Sequence, residues 1–185
     1  MNICLFGVSN VGKSTTGKLL AEKLGYSYYD LDDEVRKYYG ITLEQFVNTG
    51  NLFFRDARRT EVMKKIASLK EDKVIAVTPM TYVDGVRSLL ENKKDFLVIE
   101  LTDTAFHIFD RLVFSDERDR IYKDDEYKNA HKEHYLNEIH DDLIYYGVHS
   151  FYWIENQYDM DGKTPEEVVS GLIEEYGLEK KNLSL

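Results

Sequence analysis

The chain has 185 residues, 43% of them apolar, which is enough to bury one substantial core, and no break in composition or charge divides it. Its 24 basic and 34 acidic residues leave a formal charge of -10, which argues against nonspecific binding to nucleic acid or to an anionic membrane surface. Cys4 has no partner for a disulfide, no basic region precedes a long apolar stretch, and no run approaches the ~18 apolar residues of a membrane span. A cytoplasmic, monomeric protein of one domain, residues 1–185, is the expectation.

The first element is a strand over 2–6 (NICLF), followed at once by GVSNVGKST, residues 7–15. Gly7 to Ser14 fit G-x-x-x-x-G-K-[ST], with a strand before and a helix, 13–24, after. Gly7 and Gly12 allow a tight turn, so that backbone amides through Asn10, Val11, Gly12 and Thr15 face phosphate oxygens at a helix N-terminus. In such a loop Lys13 reaches the β- and γ-phosphates of ATP and the Ser14 hydroxyl ligates Mg²⁺. A strand over 26–29 (YSYY) then delivers Tyr29-Asp30-Leu31-Asp32 to its C-terminal edge. The two carboxylates in D-x-D spacing either serve metal and acceptor or, with Asp33 and Glu34, form the acidic first turn of a helix.

Helices are expected over 31–39, 43–49 (capping box Thr42 with Gln45) and 52–70, then a strand over 73–77, a helix over 83–91, a strand over 96–101 and a helix over 104–112. The stretch 115–134 is dense in charge and suits a solvated segment. A helix over 129–146, a strand over 151–154 (FYWI) and a helix over 165–176 complete the chain. Thr164-Pro165-Glu166-Glu167 starts the last helix with a capping hydroxyl, a proline at its first position and a glutamate at its third; Gly177 closes it. The spacings of His131, His134, Glu138 and His140 could place ligands on one helix face, but no second ligand cluster accompanies them, so a solvated face is expected. The aromatics Tyr145, Tyr146, Phe151, Tyr152 and Trp153 read as core or pocket wall. Strands and helices alternating in this way predict an α/β fold: a P-loop NTPase three-layer α/β/α sandwich around a central, mainly parallel five-stranded sheet.

From residue 1 to about 70 the chain resembles the shikimate kinase family. The resemblance rests on the short P-loop, the helix TTGKLLAEKLGY, the D-x-D, and the segment GITLEQFVNTGNLFFRDARRTEV. It implies a small-molecule kinase that uses ATP and Mg²⁺, with a lid at about 113–128. By position, Asp30 resembles the carboxylate near Mg²⁺, Asp32 the one that holds and activates the acceptor hydroxyl, and Arg55 an arginine that grips the substrate carboxylate. More loosely, LTDTAFHIFDRL places Arg111 where the family has a nucleotide-stacking arginine. Arg118 resembles the catalytic lid arginine, with Arg120 a close competitor, and Pro165 resembles a proline that packs on adenine.

Two departures from the family pattern bear on the acceptor. Where the family has glycines after the third strand, this chain reads Val77-Thr78-Pro79-Met80, which leaves Thr78 as a candidate substrate contact in a pocket of altered shape. Where the family carries a second carboxylate-binding arginine after the lid, this chain reads NEIHDDLIYYG, with Asp141 and Asp142. An aspartate repels a carboxylate, so either Arg55 acts with a lysine such as Lys123 or Lys128, or the acceptor is not an acid. The resulting expectation is transfer of the γ-phosphoryl of MgATP to a hydroxyl of shikimate or a related cyclic or polyol acceptor. The alternatives are a gluconate-like sugar acid, a neutral or amine-bearing polyol, or a nucleotide-binding regulatory protein without transferase activity.

Overall fold

The structure, a computed structural model, describes residues 1–114 and 125–180. Its strands are β1 (Asn2–Phe6), β2 (Ser27–Asp30), β3 (Lys73–Ala76), β4 (Phe96–Thr102) and β5 (Asn156–Asp159). They form one sheet in the order β2-β3-β1-β4-β5, and every pairing is parallel. The central β1 pairs Cys4 with Ile75 of β3 on one side and with Val98 of β4 on the other. All five β1 residues are buried, which is why the strand reads as a nearly unbroken apolar run.

The helices among the described residues are α1 (Lys13–Leu24), α2 (Leu31–Tyr39), α3 (Leu43–Val47), α4 (Leu52–Ser68), α5 (Asp84–Glu91), α6 (Ala105–Arg111), α7 (Glu126–Ala130), α8 (Lys132–His149) and α9 (Pro165–Glu175). Strands leave β1 in both directions across the sheet, so right-handed crossovers place their helices on opposite faces. Packing follows that division: α1 lies against α9, α6 against α8, and α4 against both α2 and α5. Leu5, Ile75, Leu20, Met63, Ile108 and Leu172 are fully buried between the layers, each contributing about 2 kcal/mol by removal from water. Cys4 is fully buried too, and burial pushes its thiol far above the usual range, so it behaves as a small hydrophobe.

Most expected elements appear within two residues of their sequence bounds, and both capping boxes, Thr42 with Gln45 and Thr164 with Glu167, are formed. Two expectations are corrected. The fifth strand is not 151–154 but Asn156–Asp159. Tyr146 O accepts from both Ser150 N and Phe151 N, Ile154 N closes a turn onto Phe151 O, and the Phe151 and Trp153 rings meet Phe6 edge-on at 6.1 and 5.7 Å. Aromatic packing on the core therefore takes the residues that look most strand-like, while the polar NQYD pairs at the sheet edge, where only Tyr158 is buried. The helix expected over 129–146 is two helices, broken at His131, whose φ and ψ of -113° and 21° leave the helical region; the second runs on to His149.

Candidate functional site

The carboxyl ends of β1 to β4 feed one crevice, the location where open parallel sheets take ligands. β1 runs directly into the loop 7–12. Gly7 has φ +136°, and a Cβ there would stand 2.5 Å from the Leu101 carbonyl oxygen of β4, so only glycine permits the approach of loop to sheet. Gly12 holds φ +117° immediately before α1, and Asn10 also sits in the left-handed region, at φ +61°. Lys13 folds over the loop, with Nζ donating to Val8 O at 2.7 Å, and its side chain is buried. Burial lowers its pKa to about 8, while Asp30 and Asp32 act in the opposite direction. That combination describes a cation held in a nearly dry site with two carboxylates close by.

Asp30 does two things with its two oxygens. Oδ1 accepts from Asp32 N at 3.2 Å and Asp33 N at 3.5 Å, capping α2, while Oδ2 accepts from the Ser14 hydroxyl at 2.7 Å. The Tyr28 hydroxyl reaches the same Oδ2 at 3.4 Å, and burial followed by the Asp30 charge pushes its phenol well up. Ser14 and Asp30 thus present oxygen ligands only, a set that fits Mg²⁺. No group of three or more His, Cys, Asp or Glu able to hold a metal occurs among the described residues, which include His131, His134, Glu138 and His140.

On the neighbouring side of the crevice, Asp32 Oδ1 accepts from Arg59 Nε at 3.0 Å. Arg59 Nη1 donates to Asp56 Oδ1 at 2.9 Å, and Asp56, 1% exposed, accepts the Tyr82 amide on its other oxygen at 3.0 Å. Arg55 lies one helical turn before Arg59; its Nη1 donates to Val47 O at 3.2 Å, and its Nε is buried with no partner among the described residues. Thr78 is half-buried in the loop after β3, beside the buried Pro79 and Met80, and Met80 O accepts from the Ser150 hydroxyl at 2.8 Å. Neither Arg59 nor Asp56 stood out in the sequence; the i, i+4 spacing of Arg55 and Arg59 on one helix was the only signal available.

The acidic stretch of α8 turns one side to the crevice. Glu138 and Asp142 line a cavity of about 170 Å³ together with Ser9, Asn10 and Phe114. Burial, then the charges of Glu138 and Asp141, raise the Asp142 pKa. Lys128 is committed elsewhere: its buried Nζ donates to Asp110 O at 3.1 Å and lies near Leu112 O at 3.4 Å, at the C-terminal end of α6. Arg118, Arg120 and Lys123 lie outside the described residues.

The remaining wall is set by Asp103 at the end of β4. Its buried carboxylate accepts from the Thr104 amide at 2.8 Å, from His107 Nδ1 at 2.6 Å and from Arg111 Nη2, with the Gly162 amide at 3.4 Å. Burial acts to raise its pKa, but the bonds from Arg111, His107 and Thr104 outweigh it and hold the carboxyl low. Asp103 therefore fixes Arg111 against the 160–164 loop. Pro165, just beyond that loop, lines a cavity of about 520 Å³ with Ser14, Thr15, Lys18 and Tyr28.

Comparison with known proteins gives a consistent result. The family described as shikimate kinase matches residues 9–176. A shikimate kinase of Thermodesulfovibrio yellowstonii is 30% identical over 176 residues, covering 95% of this chain and 94% of the relative. Among solved structures, shikimate kinase from Bacteroides thetaiotaomicron superposes with a TM-score of 0.73 at 22% identity, over 96% of this chain and 99% of the other. Shikimate kinase from Acinetobacter baumannii in complex with shikimate gives a TM-score of 0.65 at 24% identity, over 96% and 95%. These two superpositions speak for the fold.

Proposed function

The chain belongs to the shikimate kinase family, and on that premise we propose that it transfers the γ-phosphoryl of MgATP to a hydroxyl of shikimate. The family is one of phosphotransferases that act on a hydroxyl group and use ATP. The observation that carries the reading is the meeting of Lys13 with Asp30 and Asp32 at one sheet edge, a buried cation beside two carboxylates of which only one is spent on Ser14.

In this reading the amides of Gly7, Asn10, Val11, Gly12 and Thr15 and the Lys13 ammonium hold the β- and γ-phosphates. Ser14 and Asp30 would hold Mg²⁺, which supplies neutralisation of phosphate charge. Asp32 orients the acceptor hydroxyl and takes its proton as the oxygen attacks the γ-phosphorus. The bond from that phosphorus to the bridging oxygen breaks, and ADP leaves with the electron pair. Arg111 and Pro165 flank the adenine, Arg55 takes the acceptor carboxylate and Thr78 lines the acceptor pocket, while the family resemblance gives Arg118 a catalytic role toward the phosphates. The enzyme works as a monomer.

The test is ADP release from MgATP with and without millimolar shikimate. Strong shikimate-dependent turnover is expected; bound ATP with no stimulation would overturn shikimate as the acceptor. A second reading is favoured by one observation, the placing of Glu138 and Asp142 on the cavity shared with Ser9 and Asn10. Two carboxylates there suit a neutral or amine-bearing polyol better than an acid. A panel containing shikimate, gluconate and an aminopolyol separates the two.

A further inference from the structure

We infer that Arg59 is the residue that positions Asp32 for its work on the acceptor hydroxyl, and that Asp56 is the anchor that makes it rigid. The inference rests on the reading of Asp32 as the group that takes the hydroxyl proton. Asp32 lies in the first turn of α2, where a short carboxylate has several rotamers and only a helix start to define it. Arg59 comes from α4, packed against α2, and delivers Nε to Asp32 Oδ1 at 3.0 Å. The other carboxylate oxygen, Oδ2, takes no hydrogen bond among the described residues, and the side chain is 26% exposed. One oxygen is thus pinned and the other left for a ligand, as a proton acceptor in a kinase site requires.

The guanidinium itself has little freedom. Nη1 is bonded to Asp56 Oδ1 at 2.9 Å, and the Phe46 ring lies under the group at 5.0 Å from its centroid. Asp56 is almost wholly buried, and its second oxygen holds the Tyr82 amide of the loop that follows Thr78-Pro79-Met80. The planar fork of arginine suits this role, because two of its donors are fixed by two carboxylates in a geometry that a lysine ammonium does not reproduce. Those same two partners leave the trio with a net charge of -1, so Arg59 is already neutralised and is a poor clamp for an acceptor carboxylate. Its action on the reaction goes through Asp32.

A double-mutant cycle of Asp32→Asn and Arg59→Ala tests this, with Arg59→Lys as the conservative variant. Turnover is read on whichever acceptor of the panel the enzyme uses, so a failure of shikimate leaves the cycle intact. In the wild-type background Arg59→Ala is expected to lower kcat about 10- to 50-fold, with nucleotide Kd within about twofold; in the Asp32→Asn background it should cost less than about twofold. Arg59→Lys should recover part of the loss. An equal cost in both backgrounds, or a nucleotide Kd that worsens as much as kcat, would mean that Arg59 only braces the fold. Wild-type kcat in Arg59→Ala while Asp32→Asn is impaired would overturn the inference alone. Wild-type kcat in Asp32→Asn would overturn the proton-acceptor reading and take the positioning role with it.

Discussion

On the nucleotide side of the crevice, residues 7–15 supply a phosphate loop largely from their own backbone, and a single carboxylate, Asp30, ties that loop to β2 through Ser14. On the acceptor side, the corresponding order is assembled from α2, α4 and the loop after β3, by the run of contacts Asp32 to Arg59 to Asp56 to the Tyr82 amide. The phosphate loop depends on chain conformation over a few consecutive residues. The acceptor side depends on side chains from separate elements. Nucleotide binding should therefore be insensitive to changes across the crevice, whereas acceptor use should be sensitive to many single substitutions.

The largest effect expected is at Lys13. Replacing it with alanine removes the only buried cation of the phosphate loop, and turnover should fall by about 10²- to 10³-fold, with weaker ATP binding as well. Steady-state rates with a parallel nucleotide titration measure both. A variant that kept its turnover would break the comparison at its firmer end, because the loop backbone alone would then suffice.

Next is Asp103, whose buried carboxylate holds Arg111, His107 and the Gly162 amide together. Asp103→Asn leaves Arg111 without its anion and should lower stability by about 2 kcal/mol, with a raised KM for ATP and little change in KM for the acceptor. Because the Asp103 pKa is held low in the folded protein, its contribution is present above the unfolded carboxylate value and is lost as the pH falls through the folded one. The stability gap between wild type and Asp103→Asn should be full at pH 7 and narrow below about pH 4. Denaturant midpoints at both pH values decide the matter, and a gap independent of pH would remove the electrostatic account.

A smaller signal sharpens the account of Lys13. Its pKa of about 8 means that a measurable fraction of the free enzyme carries a neutral amine at pH 8 to 9. Phosphate charge favours the ammonium, so nucleotide binding at that pH should take up a fraction of a proton, and affinity should fall as the pH rises above about 8. Calorimetric titration in two buffers of different ionisation enthalpy measures the uptake. Near pH 6.5 the lysine is charged before and after binding, and Lys13 should contribute no uptake.

How much of this was legible in the sequence follows the same division. The loop was readable because glycine spacing, lysine and serine must fall in one short stretch, and the flanking strand and helix gave the context. Both capping boxes were readable for the same local reason. The fifth strand was misplaced because Phe151 and Trp153 have strong strand propensity but are drawn onto Phe6, a contact between residues far apart in the chain. Arg59 escaped notice among four arginines between 55 and 87, since nothing local says which of them meets Asp32. Asp56 was equally silent, because its role is to be buried beneath a guanidinium contributed by its own helix and an amide from a distant loop.

The smallest effect belongs to Asp142, and its sign separates the acceptors. Burial and the neighbouring charges of Glu138 and Asp141 raise its pKa, so the folded protein carries a penalty for the ionised form above that value and sheds it as the pH falls. Asp142→Asn should therefore melt slightly higher than wild type at pH 7, and the difference should vanish as the pH approaches 4. The kinetic consequence depends on what enters the cavity that Asp142 and Glu138 share with Ser9 and Asn10. For an acidic acceptor such as shikimate, removing a like charge should lower the acceptor KM about two- to fivefold with kcat nearly unchanged. For an amine-bearing polyol the same substitution removes an attraction and KM should rise. An acceptor KM that does not move in either direction would mean that this face of α8 lies beyond the reach of the acceptor, and the acidic helix would then have no part in choosing it.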